Sequence, residues 1–114
     1  MRPGLARRYA AGVALAAFAA LACAKPLPVL ADSEYVAIAR ATPEGREFAL
    51  KYGDGLAAVD HSGRLAVDLH ASRAGQPVRL RVFIEENRAA SSFFECPQGT
   101  VRTTDVVGAI RGCG

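Results

Sequence analysis

The sequence predicts an α+β fold: N-terminal helices packed on a four-stranded antiparallel meander, with a disulfide-tied C-terminal segment. Three observations carry that expectation. The apolar period changes from about 3.6 residues to about 2 near Leu56, separating a helical part from a sheet part. The alternating runs that follow are joined by short polar turns, which suit hairpins rather than crossovers. Two cysteines, Cys96 and Cys113, remain near the end once the N-terminal leader is set aside.

The leader is read first because it changes the rest. Arg2, Arg7 and Arg8 flank the start of an Ala/Leu-rich run from Tyr9 to Ala24. Lys25-Pro26-Leu27-Pro28 then interrupts that run before Val29-Leu30-Ala31. A basic start, an apolar middle and a small-residue end are the layout of a secretory signal peptide. The expected division is a cleaved signal over residues 1–31 and one small domain over residues 32–114. Cleavage after Ala24 is an alternative. So is a lipoprotein signal, because Ala20-Leu21-Ala22-Cys23 loosely resembles a bacterial lipobox and would put a lipid on Cys23. The run offers about 16 apolar residues where a spanning helix needs about 20, which argues against a retained anchor.

Charge follows the same division. The chain has 14 Lys and Arg against 11 Asp and Glu, a formal net charge of +3. Arg2, Arg7, Arg8 and Lys25 all lie in the leader, and no acid does. Residues 32–114 are left with one net negative charge. That excludes a nucleic-acid partner, and it leaves membrane contact only through a lipid on Cys23.

Asp32-Ser33-Glu34 reads as a capped helix start, with Tyr35, Val36, Ile38 and Ala39 as the apolar stripe of a helix over residues 34–41. A strand is the alternative there, since Val36, Ile38 and Arg40 also alternate. Thr42-Pro43-Glu44 is a cleaner signal. Threonine caps, proline at the first helical position loses only an orphan N–H, and glutamate faces the positive end of the dipole. The helix over residues 43–52 carries Phe48 on its core face and ends at Gly53.

Beyond Leu56 the strands alternate. Leu65, Val67 and Leu69 form one apolar set, and Val78, Leu80, Val82 and Ile84 form the next. Asp60-His61-Ser62-Gly63-Arg64 suits a three-residue hairpin loop with Gly63 left-handed, pairing Val59 with Leu65. Ser72-Arg73-Ala74-Gly75 makes the second turn. Keeping both apolar sets on one face puts Leu69 opposite Val78 and Asp68 opposite Arg79. Glu86 to Ala90 reads as a polar turn, and Ser92-Phe93-Phe94-Glu95 as the fourth strand, ending at Cys96-Pro97. Thr104 then caps a short segment, Asp105 to Arg111, stopped by Gly112.

A domain of about 80 residues has a marginal core, and exported domains of that size often add a disulfide. Cys96 and Cys113 form an even pair for that role. Closing their loop contributes about 3 kcal/mol in the chain-entropy picture.

The search for chemistry returns little. His61 and His70 are the only histidines, at a hairpin tip and on the outward strand face. Neither has a spaced His or Cys partner of the kind a metal site needs, so no metal and no cofactor are expected. No G-x-S-x-G occurs, and no catalytic residue is assigned. The outward face instead collects Arg64, Arg79 and Arg81 with Asp60, Asp68 and His70. Phe83 falls on that face too, joined by whichever of Phe93 and Phe94 points outward. The two aromatics either form a binding patch or lie beneath the tied C-terminal segment.

The function expected is an exported, non-catalytic domain that binds another macromolecule, as an inhibitor, an immunity-type protein or an envelope accessory factor. Arg64, Arg79, Arg81 and Phe83 are its candidate interaction face. The partner expected is a protein or a cell-envelope component, met in the periplasm or outside the cell, or at the outer membrane if Cys23 is lipidated. The alternative is a small secreted hydrolase using His70 with Asp68 or Glu85. The helix–helix–meander order is similar in outline to small periplasmic modules such as the β-lactamase-inhibitor-like and outer-membrane-assembly lipoprotein folds. Their helix-entry motif is absent here, so the likeness is one of shape and implies no function.

Overall fold

The computed structural model describes residues 27–113. Cys23, most of the expected leader and Gly114 lie outside the described residues. The chain runs through α1 (Asp32–Ala41), α2 (Pro43–Tyr52), β1 (Leu56–Asp60), β2 (Ala66–Arg73), β3 (Gln76–Glu85), β4 (Arg88–Cys96), β5 (Thr100–Arg102) and α3 (Val106–Gly112). The strands form one antiparallel sheet in the order β1-β2-β3-β4-β5. The α+β reading holds, with five strands in place of four. The added strand, β5, has three residues, all exposed. Without a buried face it leaves no alternation to read.

Thr42 makes the corner between the first two helices. Its hydroxyl donates to the Ala39 carbonyl at 2.7 Å and accepts from the Gly45 amide at 2.9 Å. One side chain thus closes α1 and caps α2. Gly45 is buried in that corner, where a β-carbon would run into the Ala39 carbonyl oxygen. The start of α1 differs from expectation. Its cap residue is Ala31, with no side-chain cap bond, and Asp32 instead reaches His61 at 2.8 Å.

All three helices lie on one face of the sheet. Val67, Leu69, Val78, Leu80, Val82, Ile84 and Phe94 project toward them and join Tyr35, Ala39, Phe48 and Ile110 in one core. Phe48 and Phe94 meet edge-on, with ring centroids 6.3 Å apart. Period-2 alternation along β3 is complete: Val78, Leu80, Val82 and Ile84 are buried, and Arg79, Arg81 and Phe83 between them are half-buried on the other face.

The faces come out as the alternation predicts, but the register does not. Leu69 pairs with Leu80 rather than Val78, and Asp68 with Arg81 rather than Arg79. The turn is centred on Ala74-Gly75, with φ of 50° and 77°, one residue later than the sequence reading placed it. A two-residue turn with both central residues left-handed matches the twist of the flanking strands, and Gly75 enters it without strain. Moving the turn centre by one residue moves the pairing by two, which preserves the faces and changes every partner.

The other connections were also misread. Val59 pairs with Val67 rather than Leu65, because Leu65 is tucked into the core ahead of the strand. Gly63 is not left-handed; Asp60 holds this loop by accepting from the Ser62 amide at 2.9 Å. Residues 86–90 are not all turn. Glu86 and Asn87, with φ of 53° and 57°, form another tight hairpin, and β4 begins at Arg88. A bulge then shifts the β3–β4 register between Val82 and Ile84.

The C-terminal segment is docked by three devices. Cys96 and Cys113 are disulfide-bonded, with Cα atoms 5.9 Å apart. The Lys51 ammonium, on α2, donates to the carbonyls of Ile110 at 2.6 Å and Arg111 at 3.0 Å, and also to that of Cys113. A cation at a helix C-terminus satisfies orphan carbonyls and opposes the negative end of the dipole. Arg111 adds a 2.9 Å bond to Glu47. The cap of α3 is Asp105, accepting from the Gly108 amide at 3.2 Å, and not Thr104.

Candidate functional site

The face of the sheet away from the helices carries the candidate site. β2 contributes Ala66, Asp68 and His70; β3 contributes Arg79, Arg81 and Phe83; β4 contributes Phe93 and Glu95. Each is there by alternation, since its neighbours in the chain point into the core. The register then decides who meets whom: Asp68 lies opposite Arg81, His70 opposite Arg79, and Arg79 opposite Glu95.

Two ion-pair systems result. Arg81 grips Asp68 in a fork, Nε to Oδ1 and Nη2 to Oδ2, both at 2.7 Å. Its Nη2 also donates to Asp60 Oδ2 at 3.0 Å. Asp68 is 6% exposed, a buried carboxylate on an otherwise uncovered face. Neighbouring side chains produce that burial; no element of the fold covers it. Hydrogen bonding by Asp68 raises the already high pKa of Arg81 further, so this guanidinium stays charged throughout.

The second system is a row. Arg79 forks onto Glu95, with bonds of 3.1 Å and 2.5 Å, and its guanidinium carbon lies 5.4 Å from the Phe93 ring centroid. Phe93 meets Phe83 at 5.9 Å between centroids. The Arg64 guanidinium sits 4.0 Å over Phe83, with Nη2 donating to Glu85 at 2.9 Å and Ser91 at 3.1 Å. Read along the face, the order is carboxylate, guanidinium, ring, ring, guanidinium, carboxylate. Cation–π contact holds the planar groups over the rings while the carboxylates fix their edges.

The four residues expected to form this face are therefore brought together. Arg64, Phe83 and Arg79 lie in the row, while Arg81 is committed to Asp68 and Asp60 beside it. Arg64 belongs to the loop before β2 and folds back over Phe83. The open question about the aromatics is answered by α3, which packs against α2 and β4 on the helix side. Phe83 and Phe93 stay half-buried on the uncovered side, and Phe94 is in the core. Glu95 was missed as the partner of Arg79. Its parity with Phe93 was legible, but the two-residue register shift hid the pairing.

His70 is exposed and takes no hydrogen bond among the described residues. Both oxygens of its neighbour Asp68 are held by Arg81. Glu85 lies six positions along β3 from the residue opposite His70, about 20 Å away at the strand rise, and is engaged by Arg64. The structure brings no carboxylate to His70. His61 bonds only Asp32, at the far end of α1. Among the described residues no group of His, Cys, Asp and Glu is placed to hold a metal ion, and no helix is long and apolar enough to cross a membrane.

Asp60 gives the site a pH signature. Its carboxyl is lowered from 3.8 to about 2, first by the Ser62 side-chain bond, then by the Ser62 amide, then by Arg81. A depressed carboxyl adds stability that is full above the unfolded pKa and is lost as pH falls through the folded one. The destabilisation caused by Asp60→Asn, measured by urea titration, is thus expected to be full at pH 7 and to have shrunk by pH 2. A penalty independent of pH would remove this role for the carboxylate.

No family model, curated protein or solved structure matches the chain.

Proposed function

We propose that this chain is an exported, disulfide-stapled domain that binds a protein partner, in the cell envelope or outside the cell, through its outer sheet face and without catalysis. The observation that carries the reading is the solvent-facing row Arg64–Phe83–Phe93–Arg79. Aromatic residues and arginine dominate the energetics of protein interfaces. Arginines already held by Glu85 and Glu95 lose little further freedom on binding, so the row is preorganised. The leader pattern and the Cys96–Cys113 bond support a periplasmic or secreted location, with outer-membrane anchoring if Cys23 is lipidated.

The test is affinity capture from envelope and culture-fluid fractions with three baits of verified melting behaviour. These are wild type, Arg64→Ala/Phe83→Ala on the sheet face, and Leu50→Ala on α2, where Leu50 is 83% exposed. A protein retained by wild type and the Leu50 variant should be lost with the face variant. Loss of two hot-spot side chains corresponds to roughly 30-fold weaker binding or more. Equal capture by the face variant, or no protein retained by wild type, overturns the reading.

A further inference from the structure

We infer that the leader is cut upstream of Leu27, within Ala22-Cys23-Ala24-Lys25, so that residues 27–31 remain part of the working domain. The inference rests on the export reading above. It departs from the cut after Ala31 that the sequence favours.

The reason is what residues 27–31 do. Leu30 packs against the core, and its amide donates to the hydroxyl of the buried Tyr35 at 3.0 Å. The Ala31 carbonyl accepts from the amides of Glu34 at 2.9 Å and Tyr35 at 3.2 Å, opening α1. Asn87 reaches from the β3–β4 hairpin to the Pro28 carbonyl at 3.0 Å. Three separate elements therefore hold this short stretch.

A cut after Ala31 would remove Leu30 from the core and leave two amides of the first turn without their acceptor. The new ammonium on Asp32 would then sit at the positive end of the α1 dipole, where a cation is unfavourable. The upstream stretch has what a signal peptidase reads. Ala22 and Ala24 stand two apart with one residue between them, the small-x-small pattern, directly after the apolar run. The downstream site has the bulkier Val29 at the equivalent outer position.

The experiment expresses the full precursor in a secreting bacterial host and measures the intact mass and melting of the exported product, for wild type and Leu30→Ala. A product beginning between Cys23 and Leu27 is expected, including one with a lipid adduct on Cys23. The Leu30→Ala product should then differ in mass from wild type and melt about 5 °C or more lower. A product beginning at Asp32, identical in mass and melting for both precursors, overturns the inference but leaves export standing. A product still beginning at Met1 and confined to the cytoplasm removes the export reading itself.

Discussion

Arg81→Met is expected to cost about 3 kcal/mol, the low end of the range for stranding one charge of a buried pair. The loss arises because Asp68, 6% exposed, keeps its desolvation penalty after its forked partner is gone. Arg79 limits the damage, since its Nη1 already lies 3.8 Å from Asp68 Oδ2 and can take part of the load. The double variant Arg81→Met/Asp68→Leu should recover most of the stability. Removing both charges also removes the cost of burying them, and apolar replacements of buried ion pairs are often neutral or better. Urea denaturation of the two single variants and the double variant closes the cycle. If the double variant loses as much as the two singles together, the pair is not coupled and this account of the face fails. The prediction also bears on binding. Arg81 acts below the Arg–Phe row as its support, so its loss should loosen the row rather than delete a contact.

Cys96→Ser/Cys113→Ser is expected to cost about 3 kcal/mol as well, through a different state of the chain. The bond spans a sequence separation of 17, and its removal frees that loop in the unfolded ensemble. For a domain of this size the melting temperature should fall by on the order of 15 °C. The loss should also be local. Lys51 still holds the last carbonyls of α3, but that helix has seven residues and does not persist in water without tertiary support. Hydrogen exchange should therefore show residues 100–113 losing protection first, ahead of β2 and β3. Uniform loss of protection across the domain would instead mean that α3 is an integral part of one cooperative unit. The same fragility ties the fold to its surroundings, because a reducing compartment would withhold the bond.

The residues whose role depends on chain neighbours were legible in advance. Thr42, Pro43 and Glu44 announce a helix start because capping is a matter of three or four consecutive backbone amides. Val78, Leu80, Val82 and Ile84 announce a buried face because strand geometry alternates strictly. Arg79, Arg81 and Phe83 were placed on the opposite face by the same rule. Partners were less legible. Asp68 was matched with the wrong arginine because Ala74, a residue with no strong turn preference, takes a left-handed place beside Gly75. Asp32 looked like a helix cap and became a partner of His61, which lies 29 positions away. Lys51 carried no signal at all for its role at the end of α3.

The sequence alone therefore determined which residues are dry and which are wet, where the second helix starts, and which cysteines pair, since periodicity, capping and cysteine parity are short-range or countable properties. Tertiary structure decided the strand register, the pairing of Arg79 with Glu95 and Arg81 with Asp68, and the placement of α3 on the helix side that leaves Phe83 and Phe93 uncovered. Those outcomes turn on one-residue choices at hairpins and on contacts between distant segments. No local pattern encodes them, because each is the solution that satisfies the whole packed chain at once.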